Sequence, residues 1–191
     1  MAFKKGSSMN RCGWVKMTNP LYIAYHDQEW GRPLHDERAL FELLCLEGYQ
    51  AGLSWETILN KRQAFKKAFH NYDISQVAQM SNQELDNLLD NPDIIRHKAK
   101  LYATRANAQV FQAIQKEFGS FDHYIWSYVN FTPLVNKVDS YKDLPTQTDL
   151  SQEIAKDLKK CGCKFVGPTT TYSFLEAAGL INDHENSCDF K

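Results

Sequence analysis

One carboxylate stands where a helix should bury hydrocarbon, and few folds tolerate that. Residues 41–55 read FELLCLEGYQAGLSW, and the helical face that begins with Leu40, Leu43 and Leu44 continues to Glu47. An unpaired buried carboxylate is costly, so Glu47 either bonds a helix end or an arginine inside the core, or serves as a hook for a ligand. Both readings stay open on pattern alone. Beyond it, Gly52 can close the helix in a left-handed conformation and Ser54 can cap the next helix, which leaves Leu53 at the tip of a tight turn. Leu53 then either protrudes or folds back as a hydrophobic staple onto Ile58.

A chain of 191 residues with 43% hydrophobic residues can bury one good core, or two small lobes that share a cleft. No run approaches the length of a membrane span, and the lysine-bearing start lacks the apolar stretch of a secretory signal, so we expect a cytoplasmic monomer with no membrane partner. Residues 1–8 precede a second methionine, Met9, and read as a leader or cloning remnant. The net charge of −1 advertises no nucleic-acid partner globally, so such a surface must be local. Three basic groups qualify: Lys61, Arg62, Lys66 and Lys67; Arg96, His97, Lys98 and Lys100; and Lys156, Lys159, Lys160 and Lys164. For the first two, a solvated helix face is the simpler explanation.

Trp14, Tyr22, Tyr25 and Trp30 crowd the start with no helical or strand period, which suggests rings converging on a pocket, although they could simply be core. Asp36 can cap the helix that carries Glu47. A second helix follows from Trp55 with Ile58, Phe65 and Phe69 inward and the first basic group outward. Ser75 and the capping box Ser81 to Glu84 predict two short helices. A long helix is expected over about 93–118, with Ile95, Tyr102, Ala106 and Val110 inward and Gly119 as its stop, then a short aromatic helix marked by Phe121, Ile125 and Tyr128. Residues 130–148 are polar, contain Pro133 and Pro145, and read as a loop joining two lobes.

Leu150, Ile154 and Leu158 stripe the next helix, after which Gly162 and Gly167 bracket a turn and Pro168 opens another helix. The resulting helix, hairpin, helix over about 149–178 presents backbone N–H groups at a helix start, where a phosphate can be held with Lys164 and Lys160 nearby. An ordinary helical connection fits the same residues. Near the end, His184 and Cys188 form an HxxxC pair, half of a zinc site, for which Cys12 and His26 are candidate partners. Four protein ligands would fill a tetrahedral site and leave no place for an activated water, so such a zinc, one per chain, would be structural and would staple the two termini.

Taken together, RCGW, LYIAYHDQEWG, LFELLCLEGYQAGLSW, KKCGCKFVGPT and GLINDHENSC resemble, in order, the bacterial DNA-3-methyladenine glycosylase I family over nearly everything after Met9. The resemblance implies an all-α helix-hairpin-helix glycosylase fold over residues 9–191 and a zinc snap at Cys12, His26, His184 and Cys188. It also implies hydrolysis of the N-glycosidic bond of 3-methyladenine in double-stranded DNA, with free 3-methyladenine as product. Glu47 matches the family's base-reading carboxylate, Tyr25 and Trp55 its stacking rings, and Trp14, Tyr22 and Trp30 its pocket wall. Leu53 with Gly52 matches its wedge into the duplex. Tyr49 departs from the pattern, where a smaller or polar residue is expected.

The chemistry fits these residue types. A base inside a duplex must be flipped out to be reached, at a cost of a few kcal/mol, and stacking on aromatic rings returns roughly 1–3 kcal/mol per base. A carboxylate favours a cationic purine over a neutral one. No lysine is required as nucleophile and no aspartate is assigned to water activation, so a monofunctional enzyme without strand cleavage is expected. Two rivals use the same residues: a zinc-stapled helix-hairpin-helix protein that binds damaged DNA without cutting a bond, and a metal hydrolase using His26 and His184.

Overall fold

The structure is a computed structural model that describes residues 9–191, so the reading of residues 1–8 as a leader lies outside the described residues. Helix α1 (Pro20–Gln28) starts at Asn19, whose side chain accepts from the Leu21 N–H, with Pro20 in the first turn. Helix α2 (Glu37–Gln50) is capped by Asp36 through the Ala39 N–H, and α3 (Trp55–Ala68) by Ser54 through the Thr57 N–H. Both caps are those read from the sequence. From Leu40 to Tyr49 every residue of α2 is buried, so it is a central helix rather than one with a single apolar face.

A single 3-10 turn (His70–Tyr72) leads to α4 (Ile74–Gln79) and α5 (Asn82–Asn87). Asp73, not Ser75, caps α4, because its carboxylate reaches the Gln76 N–H; the Ser81 to Glu84 capping box forms as expected. The long helix α6 (Lys98–Phe118) begins at a His97 cap, about a turn later than the pattern suggested. Its buried face runs through Leu101, Thr104, Ala108 and Phe111, while Tyr102 and Ala106 are only partly covered. Val110 is buried as expected, but Ile95 precedes the helix, and the buried arc is wide enough to include the polar Thr104, Asn107 and Lys100.

Helix α7 (Phe121–Ser127) is the aromatic helix. The segment read as a plain connecting loop is more ordered than that: β1 (Leu134–Val135) lies ahead of a 3-10 turn (Tyr141–Asp143). Helices α8 (Asp149–Lys160) and α9 (Pro168–Ala177) follow, and β2 (Ile181–Asn182) pairs in parallel with β1. Helix α2 packs against α9, α3 and α6, and α8 packs on α9. The fold is therefore helical around α2. Among the described residues no helix is long and apolar enough to cross a membrane.

Tyr49 is buried, stacks on Phe65 at 4.3 Å between ring centroids, and shares a 2.6 Å hydrogen bond with the Thr104 hydroxyl. It is a core residue that faces α6, and it does not line the cavity described below.

Candidate active site

Two buried glutamates five residues apart on α2 have opposite surroundings. Glu42 accepts from Arg62 Nε at 2.7 Å, with Lys66 at 3.5 Å, and Arg62 also bonds Glu29 at 2.8 Å. The basic group expected on the outer face of α3 thus spends two members on internal ion pairs, and Lys61 donates to the carbonyls of Pro92 and Asp93. Glu47 has no such company: burial alone pushes its carboxyl from 4.5 up to about 8, with no compensating donor or cation. The arginine that a structural reading would give to Glu47 belongs to Glu42.

Glu47 lines a cavity of about 190 Å³ whose walls include Trp14, Tyr22, Tyr25, Trp30 and Trp55. Tyr25 and Trp55 lie 5.1 Å apart between centroids at 53°, and Trp14 meets Trp30 edge-on at 4.8 Å and Tyr22 at 5.7 Å. The aperiodic aromatics of the first thirty residues do converge. Trp55 Nε1 is buried without a hydrogen-bond partner. The arrangement offers flat apolar faces, an unpaired donor and the unpaired acid of Glu47, which suits a planar, polar-edged ligand.

A second hollow adjoins the first, sharing Glu47, Gln50 and Ser173, and is lined further by Gly52, Leu53, Thr169 and Thr170. Gly52 holds φ at +80°, the left-handed conformation expected of it, and Leu53 is 39% exposed, which favours a protruding tip over a staple. In the turn between α8 and α9, Gly162 has φ of +103°, so any side chain there is strained. Gly167 does not share that need: its φ is −69° and an added Cβ would meet nothing within 4 Å. Its lack of a side chain instead leaves the start of α9 open to close approach. Asn107 clamps this turn from α6, accepting from the Lys164 N–H at 2.8 Å and donating to its carbonyl at 3.1 Å.

Cys12, His26, His184 and Cys188 are all buried and place their ligand atoms within 4.8 Å of one another. His26 Nδ1 lies 2.8 Å from Asp27, itself held by Arg11, and His184 Nδ1 lies 2.8 Å from Asn182 Oδ1. These contacts turn Nε2 of each ring inward, and His184 Nε2 is a buried atom without a partner. Burial pulls the His184 pKa down to about 4 and lowers that of His26, so both rings are neutral and able to ligate. Two thiols and two imidazoles fit zinc. The cluster also backs the pocket, since Trp14 packs on His26 at 5.2 Å and Trp30 on His184 at 4.6 Å.

A sequence family described as methyladenine glycosylase matches residues 14–191. The chain belongs to that family. Its methyladenine glycosylase relatives include "DNA-3-methyladenine glycosylase 1" of Escherichia coli, 46% identical over 180 residues, covering 94% of this chain and 96% of the relative. "DNA-3-methyladenine glycosylase" of Haemophilus influenzae is 45% identical over 181 residues, covering 95% and 97%. Among solved structures, a variant of 3-methyladenine DNA glycosylase I in complex with 3-methyladenine superimposes with a TM-score of 0.92 at 44% identity, covering 96% of this chain and 98% of the other.

Several residues that line this methyladenine glycosylase's cavity escaped the sequence reading. Ser173 and Glu176, one turn apart on α9, face it, as do Gln50, Tyr141 and Leu144. Gln50 stands three residues after Glu47 on the same helical face and could have been found there. Glu176 carries a pKa well above the usual carboxylate value, through burial and the nearby Asp183 and Glu47. Asp183 itself is engaged structurally, accepting from the Tyr172 hydroxyl and from Asn136 at 2.7 Å.

Proposed function

We propose that the chain excises 3-methyladenine from alkylated double-stranded DNA by flipping the base into the aromatic cavity and hydrolysing its N-glycosidic bond, without strand cleavage. The observation that carries this is the unpaired carboxylate of Glu47 beside stacking rings. Tyr25 and Trp55 stack the base, Trp14, Tyr22 and Trp30 wall it in, and Glu47 accepts from its polar edge. Glu47 also gives a cationic purine a counter-charge that a neutral one does not need. A methylated adenine carrying positive charge is already a good leaving group, so binding and electrostatic support for the sugar cation supply the acceleration, and water completes the reaction.

Residues 9–191 act as one domain of two helical lobes, with α8, the hairpin and α9 as the helix-hairpin-helix. Leu53, presented by Gly52, wedges into the duplex and holds open the gap left by the flipped base. Gly162, Lys164 and Gly167 hold a phosphate at the start of α9. A structural zinc at Cys12, His26, His184 and Cys188 holds the termini and the Trp14–Trp30 wall, and takes no part in bond cleavage. The protein works as a cytoplasmic monomer.

Incubation of methylated duplex DNA with the protein, followed by chromatography of released bases, tests this directly: free 3-methyladenine with intact strands is expected. Salt-dependent DNA binding with no released base would instead mark a damage-binding protein. Lys164→Glu should weaken binding to methylated and unmethylated duplexes alike and reduce the salt slope by about one. Identical affinities for the variant and the wild type across a salt series would take the hairpin out of the interface.

A further inference from the structure

Lys100 is a lysine in the interior, 6% exposed, in the first turn of α6. Its ammonium reaches no carboxylate within salt-bridge distance among the described residues; instead Nζ donates to the Tyr49 carbonyl at 2.9 Å and the Ala51 carbonyl at 2.7 Å. These belong to the C-terminal end of α2, where carbonyls have no helical N–H to accept from and the helix dipole is negative. The next turn of α6 grips α2 a second way, because the Thr104 hydroxyl that meets Tyr49 also donates to the Lys100 carbonyl at 3.1 Å. Burial lowers the Lys100 pKa. Water would satisfy an exposed helix end at no such desolvation cost, so a buried cation there serves placement rather than solvation.

What it places is the turn that follows. Gly52 and Leu53 come directly after Ala51, the Leu53 N–H closes onto the Gln50 carbonyl at 2.6 Å, and Glu47 lies one turn before. We propose that Lys100 is a positioning residue for base flipping: its ammonium fixes the end of α2, so that Leu53 enters the duplex at a set height relative to Glu47. This rests on the reading of Leu53 as the wedge.

Lys100→Met keeps the stem and removes the donors. On methylated duplex its kcat/KM should fall about tenfold to a hundredfold, the scale of a reacting geometry displaced by about 1 Å. Affinity for free 3-methyladenine should stay within about twofold, because the cavity rings and Glu47 do not depend on the turn. Lys100→Arg, with donors for the same carbonyls, should recover most of the activity. In a cycle with Leu53→Ala, adding Lys100→Met should cost less than about threefold beyond Leu53→Ala alone, as expected of residues acting through one element. Equal loss of free-base affinity and turnover, or fully additive losses in the cycle, would overturn the proposal. So would full duplex activity of Leu53→Ala, although release of 3-methyladenine by the wild type would then leave the enzymatic reading intact. If Lys100→Met melts below the assay temperature, Lys100→Gln, which keeps one donor, enters the same cycle.

Discussion

Glu47→Gln should lose base recognition and gain stability in the same stroke. The substitution keeps the volume and one acceptor but removes the charge, so affinity for free 3-methyladenine is expected to fall about tenfold to a hundredfold, the worth of a charge-assisted hydrogen bond, while Tyr25 and Trp55 still stack. On methylated duplex the wild-type kcat/KM should rise with pH up to about 8, where Glu47 becomes ionised in the empty pocket, and level off above; the glutamine variant should show no such limb. For stability the sign reverses. The folded chain keeps a proton on Glu47 up to about pH 8 that the unfolded chain has released by about 4.5, so wild-type stability falls as pH rises across that window. Over the full window the penalty is about 3–5 kcal/mol, and glutamine escapes it. Above pH 8 the variant should therefore melt on the order of 10 °C higher than the wild type, with the gap closing toward pH 5. Equal affinities for the two proteins in a calorimetric titration would remove Glu47 from the site, and a melting gap that ignores pH would deny its raised pKa.

Loss of the metal, by contrast, should weaken the fold. Protein purified without chelators is expected to carry about one zinc per chain, and Cys188→Ser or His26→Ala to lower the melting temperature by on the order of 10 °C or more, since structural zinc contributes folding free energy outright. Activity at a permissive temperature should suffer less than stability, because a metal at this cluster would support the Trp14 and Trp30 wall without touching the base. Tryptophan emission should shift on chelation as that wall loosens. Elemental analysis that finds no zinc would end this assignment.

The features legible in the sequence were those whose physics is local or whose ligand chemistry is narrow. Asp36 and Ser54 cap their helices through N–H groups three residues away, and Gly52 needs only its own φ. The two cysteines and two histidines could be grouped across the chain because few side-chain types ligate zinc. Where a residue's role is set by a distant segment, the pattern was silent. Arg62 looked like part of a solvated face, yet it reaches back to Glu42 on α2. Nothing near Tyr141 announces that a polar loop will border the cavity; that follows from Glu185, whose carboxylate accepts from the N–H groups of both Tyr141 and Gly13 and so ties the loop to the start of the chain. Glu176 was missed for the same reason, since the charges around it, Glu47 and Asp183, come from α2 and from the segment after β2.

The cluster of two thiols and two imidazoles brings Cys12 beside Cys188, and the cavity takes Trp14 from one end of the chain and Glu176 from the other. Until α9 exists, a chain emerging from the ribosome lacks the packing of α9 on α2. It then holds Glu47 and the Leu53 turn but lacks a wall to close the cavity and two of the four ligands. Geometry thus orders completion of the fold: the four-residue cluster can assemble only after synthesis has reached Cys188.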